Sequence, residues 1–436
     1  MTFEEWIACA EALAADHRSL SQADTATCRR ALLGVHRLFK IAPTPLLDAY
    51  ARVPERLLGE AARARADDVT GGNFAWHLPG TPDLSAWALA AGAQARALDE
   101  VLFTTAPSHF GPVDPEEWRC ATSQAYAIPR ARTREPADKR DNQRFTRRGV
   151  LHHRVVPEVL DAGYRVRLVR LDTTAAPAGE QVTMGAALFP GLDLQIRREG
   201  EDGFVVTGAA CAGMDVTVLR QLQAAFADGC FAAMWPELTV APTLLALIQR
   251  TLEDRALSVD PRNSLQLVVA GSWHVQEEHG LANVAPVLDG YGGVKLLYRK
   301  VLPYQDRKIG TEAIAPVLEV PVLVTDDHLV GFGICKDFCD QGVPLAFADL
   351  DVDLVLVPSM GNPVTMDGHR STAKRMRTLF GTRAFVVQQA EAERPADEQP
   401  GWVLPFPNDP TGLATPDLRQ AGDWQSYKGT VPRGRD

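Results

Sequence analysis

The chain has 436 residues, a formal net charge of −10 and 46% hydrophobic residues. This length exceeds that of one average domain, so the sequence predicts two domains. The acidic balance argues against nucleic-acid binding, and no apolar run reaches the ~18 consecutive residues that suggest a spanning helix. The start, MTFEEWIACAEALAADH, lacks the basic and apolar regions of a signal peptide. Together with seven scattered cysteines, this leads us to expect a reduced, cytoplasmic protein.

Residues 1–130 are predicted to form a helical domain, for which the sequence indicates no role. Apolar residues recur at the i, i+3, i+4 and i+7 positions of a helix in TFEEWIACAEALAADH, ATCRRALLGVHRLF, TPLLDAYARVPERLLGEAARARA and LSAWALAAGAQARALDEVLF. Thr44 is expected to cap the third of these helices, with Pro45 at its first position, where the missing N–H of proline costs little.

An arginine-rich stretch, RARTREPADKRDNQRFTRRGVLHHR, follows at residues 130–154. Few apolar residues interrupt it, so we interpret residues 131–160 as a solvated linker between two domains. The alternative is a docking surface for an acidic protein partner, because clustered basic residues attract anions.

Strands and helices alternate over residues 161–436. YRVRLVRLD alternates polar and apolar residues as a half-buried strand does, and VDLVLVPSM is dense in Leu and Val, as strands buried on both faces tend to be. The alternation predicts an α/β fold with layered sheets.

Three strand ends in this half of the chain carry polar or reactive residues. Glu237 follows the apolar run in MWPELTV, Lys300 ends the strand in KLLYRKVLPY, and Cys335 ends the strand in GFGICKD. Functional sites of α/β sheets gather outside the carboxyl ends of the strands, so we expect the three side chains to converge in one cleft.

A carboxylate, an ammonium and a thiol together can hydrolyse a carbon–nitrogen bond. A buried glutamate with a raised pKa can take the thiol proton and later give it to a leaving amine. A lysine can lower the thiol pKa and stabilise the anion of the tetrahedral intermediate, and Cys335 would carry a thioester that water hydrolyses. Each residue also has a structural alternative: Cys335 as a small buried side chain, Glu237 as an ion-pair partner, and Lys300 as a charge at a strand edge.

The chain from about residue 163 to 390 resembles the nitrilase, or carbon–nitrogen hydrolase, superfamily. The motifs that carry the resemblance are, in order, WPEL, VVAGSW, YRKVLP, GFGICKD and LVLVPSMGNP. The resemblance implies that Glu237 is the general base, that Lys300 stabilises the intermediate and that Cys335 is the nucleophile. It also implies a four-layer α-β-β-α sandwich, a homo-oligomer, a small-molecule substrate and neither a metal nor an organic cofactor.

The substrate pocket is less defined by the motifs. A small amide is favoured over a nitrile, and acyl transfer to an amine stays open. The backbone N–H of Lys336 is a candidate for the oxyanion site, and Ser359 and Asn362, after the VPSM strand, are candidates for the same cleft. The second glutamate that many family members carry after the lysine corresponds to Asp306 or to Glu312.

The sequence departs from the family pattern at two places. Extra residues before Glu237 predict an inserted hairpin near residues 185–212, and CDQGVPL replaces the Phe-Pro-Glu that usually follows the nucleophile. These changes allow a second interpretation, in which the chain is a catalytically altered scaffold that binds a protein partner through its N-terminal domain. Asp337 is expected to cap the helix after the nucleophile, and Cys339 to pack in the core.

Overall fold

In the computed structural model the chain forms two compact units, one within residues 1–159 and the other beginning at residue 160. The structure describes residues 1–431 except 19, 23, 73–74, 106–113, 131–149, 162, 172–180, 258–264, 326–327, 340–346, 348, 391–398 and 407–422. Most of the arginine-rich stretch, and the residues that replace Phe-Pro-Glu after Cys339, therefore lie outside the described residues.

The first unit is mainly helical. Its helices are α1 (Phe3–Asp16), α2 (Thr25–Lys40), α3 (Thr44–Arg52), α4 (Glu55–Thr70) and α5 (Leu84–Thr105). They enclose an apolar core in which the Trp6 indole packs edge-on against Trp87 and donates to the carbonyl of Leu38 at 2.7 Å.

The third helix predicted from the sequence is two helices in the structure. The backbone is extended at Val53 and Pro54, which separate α3 from α4, because a proline disfavours helical backbone at the residue before it. Pro43 occupies the cap position of α3, so Thr44 is the first helical residue and makes no cap hydrogen bond. The predicted cap at Thr44 was wrong, and Pro45 takes the second helical position.

A small antiparallel sheet completes the first unit and was not predicted. It consists of β1 (Arg119–Cys120), β2 (Ala125–Pro129) and β3 (His153–Pro157). The carboxylate of Asp99, fully buried on α5, accepts from the backbone N–H groups of Leu151 and His152 at 2.6 and 2.8 Å. This carboxylate ties the start of β3 to α5.

The second unit contains two large sheets. The strands of one are β5 (Gln181–Ala187), β8 (Ala232–Trp235), β9 (Leu267–Ala270), β10 (Trp273–Glu277), β11 (Gly280–Asp289), β12 (Val294–Arg299) and β20 (Trp424–Thr430). Those of the other are β4 (Arg165–Arg170), β15 (Glu319–Val324), β16 (Leu329–Phe332), β17 (Leu354–Gly361), β18 (Arg383–Ala390) and β19 (Gly401–Leu404). The orders are β10-β11-β9-β8-β5-β20, with β12 on β11, and β19-β18-β17-β16-β15-β4.

Helices cover the outer face of each sheet. α6 (Met214–Ala227) and α7 (Pro242–Ala256) share an apolar core with β8 and β9 of the first sheet. α8 (Lys336–Cys339) packs on α9 (Pro363–Phe380), which covers β17 and β18 of the second. Among the described residues, none of the helices combines the length and the hydrophobicity that crossing a bilayer requires.

The inner faces of the two sheets pack against each other. The ring centroids of Phe385 on β18 and Tyr427 on β20 are 6.1 Å apart, and those of Tyr298 on β12 and Phe332 on β16 are 6.3 Å apart. Each of these ring pairs joins a strand of one sheet to a strand of the other, at a spacing typical of packed aromatic side chains. The second unit is therefore an α-β-β-α sandwich, and the predicted fold class is confirmed.

A third, smaller sheet lies beside the sandwich. Its strands are β6 (Asp193–Glu199), β7 (Gly203–Ala210), β13 (Gln305–Asp306) and β14 (Gly310–Glu312), in the order β13-β14-β7-β6. β6 and β7 form an antiparallel hairpin, and β7 runs parallel to β14 with Phe204 opposite Glu312. The hairpin thus supports the segment that follows Lys300.

Candidate active site

The structure brings together the side chains of Glu237, Lys300 and Cys335, which follow β8, β12 and β16. The Nζ of Lys300 donates to Oε1 of Glu237 at 2.8 Å, and the Glu237 carboxylate also interacts with the thiol of Cys335. Each of the three residues is at most 2% exposed. An ammonium, a carboxylate and a thiol therefore share one buried cluster.

The backbone is strained at two points of this cluster. Cys335 has φ +46°, and Leu238, which follows Glu237, has φ +56°. Residues other than glycine adopt this left-handed conformation rarely and at a cost of order 1 kcal/mol, and such strain collects at functional sites. The Cys335 turn is held by its own N–H, which donates to Pro358 O at 3.0 Å, and by its carbonyl, which accepts from Phe338 N at 3.0 Å.

A second buried carboxylate, Glu312, also contacts Lys300. Its Oε2 accepts from Lys300 Nζ at 2.5 Å and from the backbone N–H of Tyr304 at 2.9 Å, and its Oε1 accepts from Nδ2 of Asn283 at 2.8 Å. Asp306, the other acid that the sequence left open, accepts instead from two backbone N–H groups of its own turn. The structure thus places Glu312, and not Asp306, beside the lysine.

Two buried polar residues that sequence reasoning missed hold the carboxylates. Nδ2 of Asn283 donates to Oε1 of Glu237 at 3.0 Å as well as to Glu312. Nε2 of His274 lies 2.9 Å from Oε1 of Glu312, and its Nδ1 accepts from the backbone N–H of Val206 at 2.8 Å. His274 and Asn283 are directly opposite each other on β10 and β11. Both residues are polar and stand in strands that are otherwise largely apolar at this end, and this pair of polar residues at one cross-strand position is what could have identified them in the sequence.

Glu237 and Glu312 share one lysine, but their protonation equilibria differ. Burial raises the pKa of Glu237 above its ordinary value, against the opposing charge of Lys300. Burial also acts on Glu312, but Lys300 and His274 outweigh it and hold the pKa of that carboxyl well below its usual range. The surroundings therefore favour the ionised form of Glu312 and the protonated form of Glu237, relative to an ordinary glutamate.

The lysine is charged and the thiol is neutral in this arrangement. Burial alone would lower the pKa of Lys300, but the carboxylates of Glu237 and Glu312 hold that pKa well above its usual value. Contact with the Cys339 thiol, then burial, then the charge of Glu237 raise the pKa of Cys335 well above its usual value. Lys300 acts on this pKa in the expected direction and lowers it, but the other three effects together exceed the attraction of the lysine.

Asp337 connects the segments that carry the lysine and the thiol. Its buried carboxylate accepts from the backbone N–H of Leu302 at 2.8 Å, from that of Ile334 at 3.1 Å and from the Tyr298 hydroxyl at 3.0 Å. The expected capping of α8 was wrong, because these donors lie outside that helix. Burial raises the pKa of Asp337 to about 6.

The three predicted substrate or oxyanion residues have different surroundings. Nζ of Lys336 donates to Pro303 O at 3.3 Å, and its backbone N–H, at the start of α8, has no acceptor among the described residues. Oγ of Ser359 is 3.0 Å from Nε2 of His369 on α9, and Asn362 caps α9 by accepting from the first N–H groups of that helix. A part in substrate binding stays a prediction for all three residues.

Comparison with known proteins gives similarity in structure only. No protein-family model and no curated protein matches the chain. An amidase from Nesterenkonia sp. is 16% identical with a TM-score of 0.40, over 60% of this chain and 94% of the amidase.

Two further solved structures are similar over nearly the same share of the chain. Nit3 of Saccharomyces cerevisiae, a member of branch 10 of the nitrilase superfamily, is 12% identical with a TM-score of 0.41, over 59% of this chain and 92% of Nit3. The C. elegans NitFhit protein is 14% identical with a TM-score of 0.40, over 58% of this chain and 62% of NitFhit. The chain is similar to these nitrilase-superfamily structures, while its α-β-β-α architecture is established by its own strand order and ring contacts.

Proposed function

We propose that the second unit is a thiol hydrolase that cleaves a non-peptide carbon–nitrogen bond, with a small amide as substrate. Glu237, Lys300 and Cys335 would carry the reaction through a thioester. The observation that supports this most is the buried Lys300 ammonium in contact with both Glu237 and Glu312 beside a buried thiol. A buried ion cluster stabilises a fold little better than apolar side chains would, so a chemical role accounts for it better than a structural one.

In the first half of the proposed reaction, Cys335 attacks the amide carbon. Its thiol is neutral, so the proton has to leave as the carbon–sulfur bond forms, and the Glu237 carboxylate in contact with it is the acceptor. The carbonyl oxygen becomes negative in the tetrahedral intermediate. Lys300 and the backbone N–H of Lys336 are the groups that would stabilise this oxyanion.

Collapse of the intermediate breaks the carbon–nitrogen bond. Glu237, now protonated, gives its proton to the leaving nitrogen, and the acyl group stays on Cys335 as a thioester. Water then attacks the thioester while Glu237 takes a proton from it, the carbon–sulfur bond breaks, and the thiol regains its proton as the carboxylic acid leaves. The raised pKa of Glu237 suits this alternation, because burial makes the carboxylate a better proton acceptor than an ordinary glutamate while its conjugate acid can still donate.

Ammonia release across a panel of small amides and nitriles tests the proposal. We expect the wild type to act on at least one amide and Cys335→Ala to fall to background. Cys230→Ala is the matched control, because Cys230 is another buried thiol of the same unit with no hydrogen bond to the cluster. Equal rates for the wild type and Cys335→Ala on every compound would contradict the proposal and favour the scaffold interpretation. Activity on nitriles alone would correct the substrate class.

A further inference from the structure

We infer that His274 is a positioning residue whose tautomer is fixed by the β6–β7 hairpin, and that this tautomer holds Glu312 against Lys300. The inference rests on the proposed function, since it assigns a task to the surroundings of the same cluster. Its physical content is a chain of hydrogen bonds from Val206 through His274 to Glu312 and Lys300.

The tautomer follows from the direction of these bonds. The backbone N–H of Val206 can only donate, so Nδ1 of His274, 2.8 Å away, is an acceptor and carries no proton. The proton of the neutral ring is then on Nε2, 2.9 Å from Oε1 of Glu312. An ionised carboxylate can only accept, so the Nε2–H tautomer satisfies both contacts and the Nδ1–H tautomer satisfies neither.

The same strand of the hairpin holds both partners of this bond. Val206 on β7 supplies the N–H for the ring, and two residues earlier Phe204 is paired with Glu312 on β14. Phe204 O also accepts from the backbone N–H of Ala313 at 3.0 Å. Because β7 contacts the ring and the backbone of its carboxylate partner, it fixes the distance between them.

Apolar packing anchors the hairpin at the point where it meets the site. The Val206 side chain, 2% exposed, packs with Leu238 and Trp273. Leu238 directly follows Glu237 in the sequence, and Trp273 directly precedes His274. The pairing of β7 with β6 shifts its register between Gln195 and Ile196, and Val206 is the partner of Ile196. A bulge of this kind changes the direction of a strand locally, which explains why the N–H of Val206 reaches the imidazole.

Because His274 and Glu312 are buried, loss of the hydrogen bond between them would leave the carboxylate without a replacement donor. The side chains of His274 and Glu312 are each 1% exposed, so no bulk water is at hand to replace a lost donor. Without the Nε2–H, Oε1 of Glu312 would keep only the amide of Asn283 as a partner. The carboxylate would then be free to rotate, and Lys300 would follow it away from the position that the oxyanion requires.

Two substitutions of His274 separate positioning from simple packing. In His274→Gln the amide Nε2–H can replace the ring Nε2–H toward Glu312. In His274→Asn the side-chain oxygen can still accept from Val206, but the shorter side chain has no N–H that reaches Glu312. We expect His274→Asn to lower kcat about 10- to 100-fold with KM changed less, and His274→Gln to recover most of that loss. Equal kcat values for the two variants at equal Tm would overturn the inference.

A readout without substrate separates this inference from the proposed function. With ¹⁵N-labelled histidine, long-range ¹H–¹⁵N spectra report which ring nitrogen is protonated, and the signals missing from His274→Gln assign the ring. We expect the proton on Nε2 alone. A proton on Nδ1, or on both nitrogens, would overturn the inference even if amide hydrolysis is observed, and the expected tautomer would uphold it even if no tested amide is hydrolysed.

The contribution of the hairpin has its own matched pair of variants. Val206→Pro removes the N–H that faces Nδ1, whereas Val206→Ala keeps it and loses only side-chain volume. We expect a proton to appear on Nδ1 in Val206→Pro and not in Val206→Ala, because only in Val206→Pro is Nδ1 without the N–H that faces it, while Glu312 still accepts from Nε2–H. An unchanged Nε2–H spectrum in a folded Val206→Pro would show that the hairpin does not fix the tautomer. If Val206→Pro does not fold, the His274 spectra and kinetics still decide the inference.

Discussion

Lys300 donates to Oε1 of Glu237 at 2.8 Å, and both side chains are almost completely buried. Because Glu312 contacts the same ammonium, the lysine sits between two carboxylates that come from different sheets of the same unit. The ammonium is what allows two carboxylates to be buried within reach of one another, since like charges that close cannot both stay ionised without it. Both buried carboxylates therefore depend on one side chain for a neutralising charge.

The first prediction concerns removal of that charge. Lys300→Met leaves two carboxylates buried without a cation, and loss of one partner of a buried ion pair costs about 3–5 kcal/mol. We expect the free energy of unfolding at neutral pH, measured by urea denaturation, to fall by this amount. The deficit should shrink as the pH falls, because protonation of the carboxylates removes their repulsion.

Lys295→Met is the matched control for this experiment. Lys295 lies on β12, the strand that Lys300 follows, and also pairs with a carboxylate, Asp289 at 3.0 Å, but its side chain is 38% exposed. A surface pair contributes about 0–1 kcal/mol, so the control should lose little. If Lys300→Met is as stable as Lys295→Met, the free energy of unfolding does not depend on the charge that Lys300 places beside the two buried carboxylates.

The second prediction concerns the ionised carboxylate. The folded pKa of Glu312 lies below the ordinary value of 4.5, so its stabilising effect is present above about that pH and is lost as the pH falls through the folded pKa. Glu312→Gln should therefore be less stable than the wild type at neutral pH, by roughly 1.5–3 kcal/mol for a hydrogen-bonded charge. The difference should diminish in acid. A deficit that is constant with pH would assign the loss to packing instead of charge.

The third prediction concerns Asp337, whose contribution to stability changes with pH in the opposite direction to that of Glu312. Burial raises the pKa of Asp337 from 3.8 to about 6, so its favourable contribution is complete below the unfolded value and is lost as the pH rises through the folded one. The unfolding free energy of the wild type should thus fall, relative to that of Asp337→Asn, between pH 3.8 and about 6. Denaturation of both proteins across that range measures the difference, and parallel curves would contradict the shift.

The residues that the sequence identified and those that it missed differ in a physical way. Glu237, Lys300 and Cys335 each stand where an apolar strand gives way to charge, a local pattern that is visible without the fold. Ser359 was chosen by its position, as a residue expected after the VPSM strand, but the structure places it within β17, where its hydroxyl is bonded to His369 on the helical layer. Successive strand residues point to opposite faces, and a strand that is apolar on both faces does not reveal which face meets the cleft.

The supporting residues depend on pairings between distant parts of the chain. The choice of Glu312 over Asp306 is decided by β14 pairing with β7, far earlier in the sequence. His274 and Asn283 become neighbours only through the register of β10 and β11. Local composition does not encode these registers, so the central cluster could be predicted from the sequence and its supports could not.

The last prediction separates the two effects that Glu237 has on the thiol. The charge of Glu237 contributes to the raised pKa of Cys335, and Lys300 opposes it. In Glu237→Gln the lysine remains without that opposing carboxylate, so the pH midpoint of Cys335 alkylation by iodoacetamide should move lower. Hydrolysis should fall about 10²- to 10⁴-fold, because the general acid and base is lost. The same variant should therefore be more reactive toward the alkylating agent at neutral pH and less active toward an amide.

Peptide mapping after alkylation over a pH series measures this change for each cysteine separately. Glu277→Gln is the matched control, because Glu277 pairs with Arg299, which directly precedes Lys300, at 2.8 Å and outside the cluster. The Cys335 midpoint should be unchanged in Glu277→Gln and should differ from that of Cys339 in every protein. If Glu237→Gln leaves the midpoint in place or raises it, Glu237 is not the base that acts on this thiol. A fall in hydrolysis would then have to come from the loss of Lys300 positioning, because Oε1 of Glu237 is also a ligand of that ammonium.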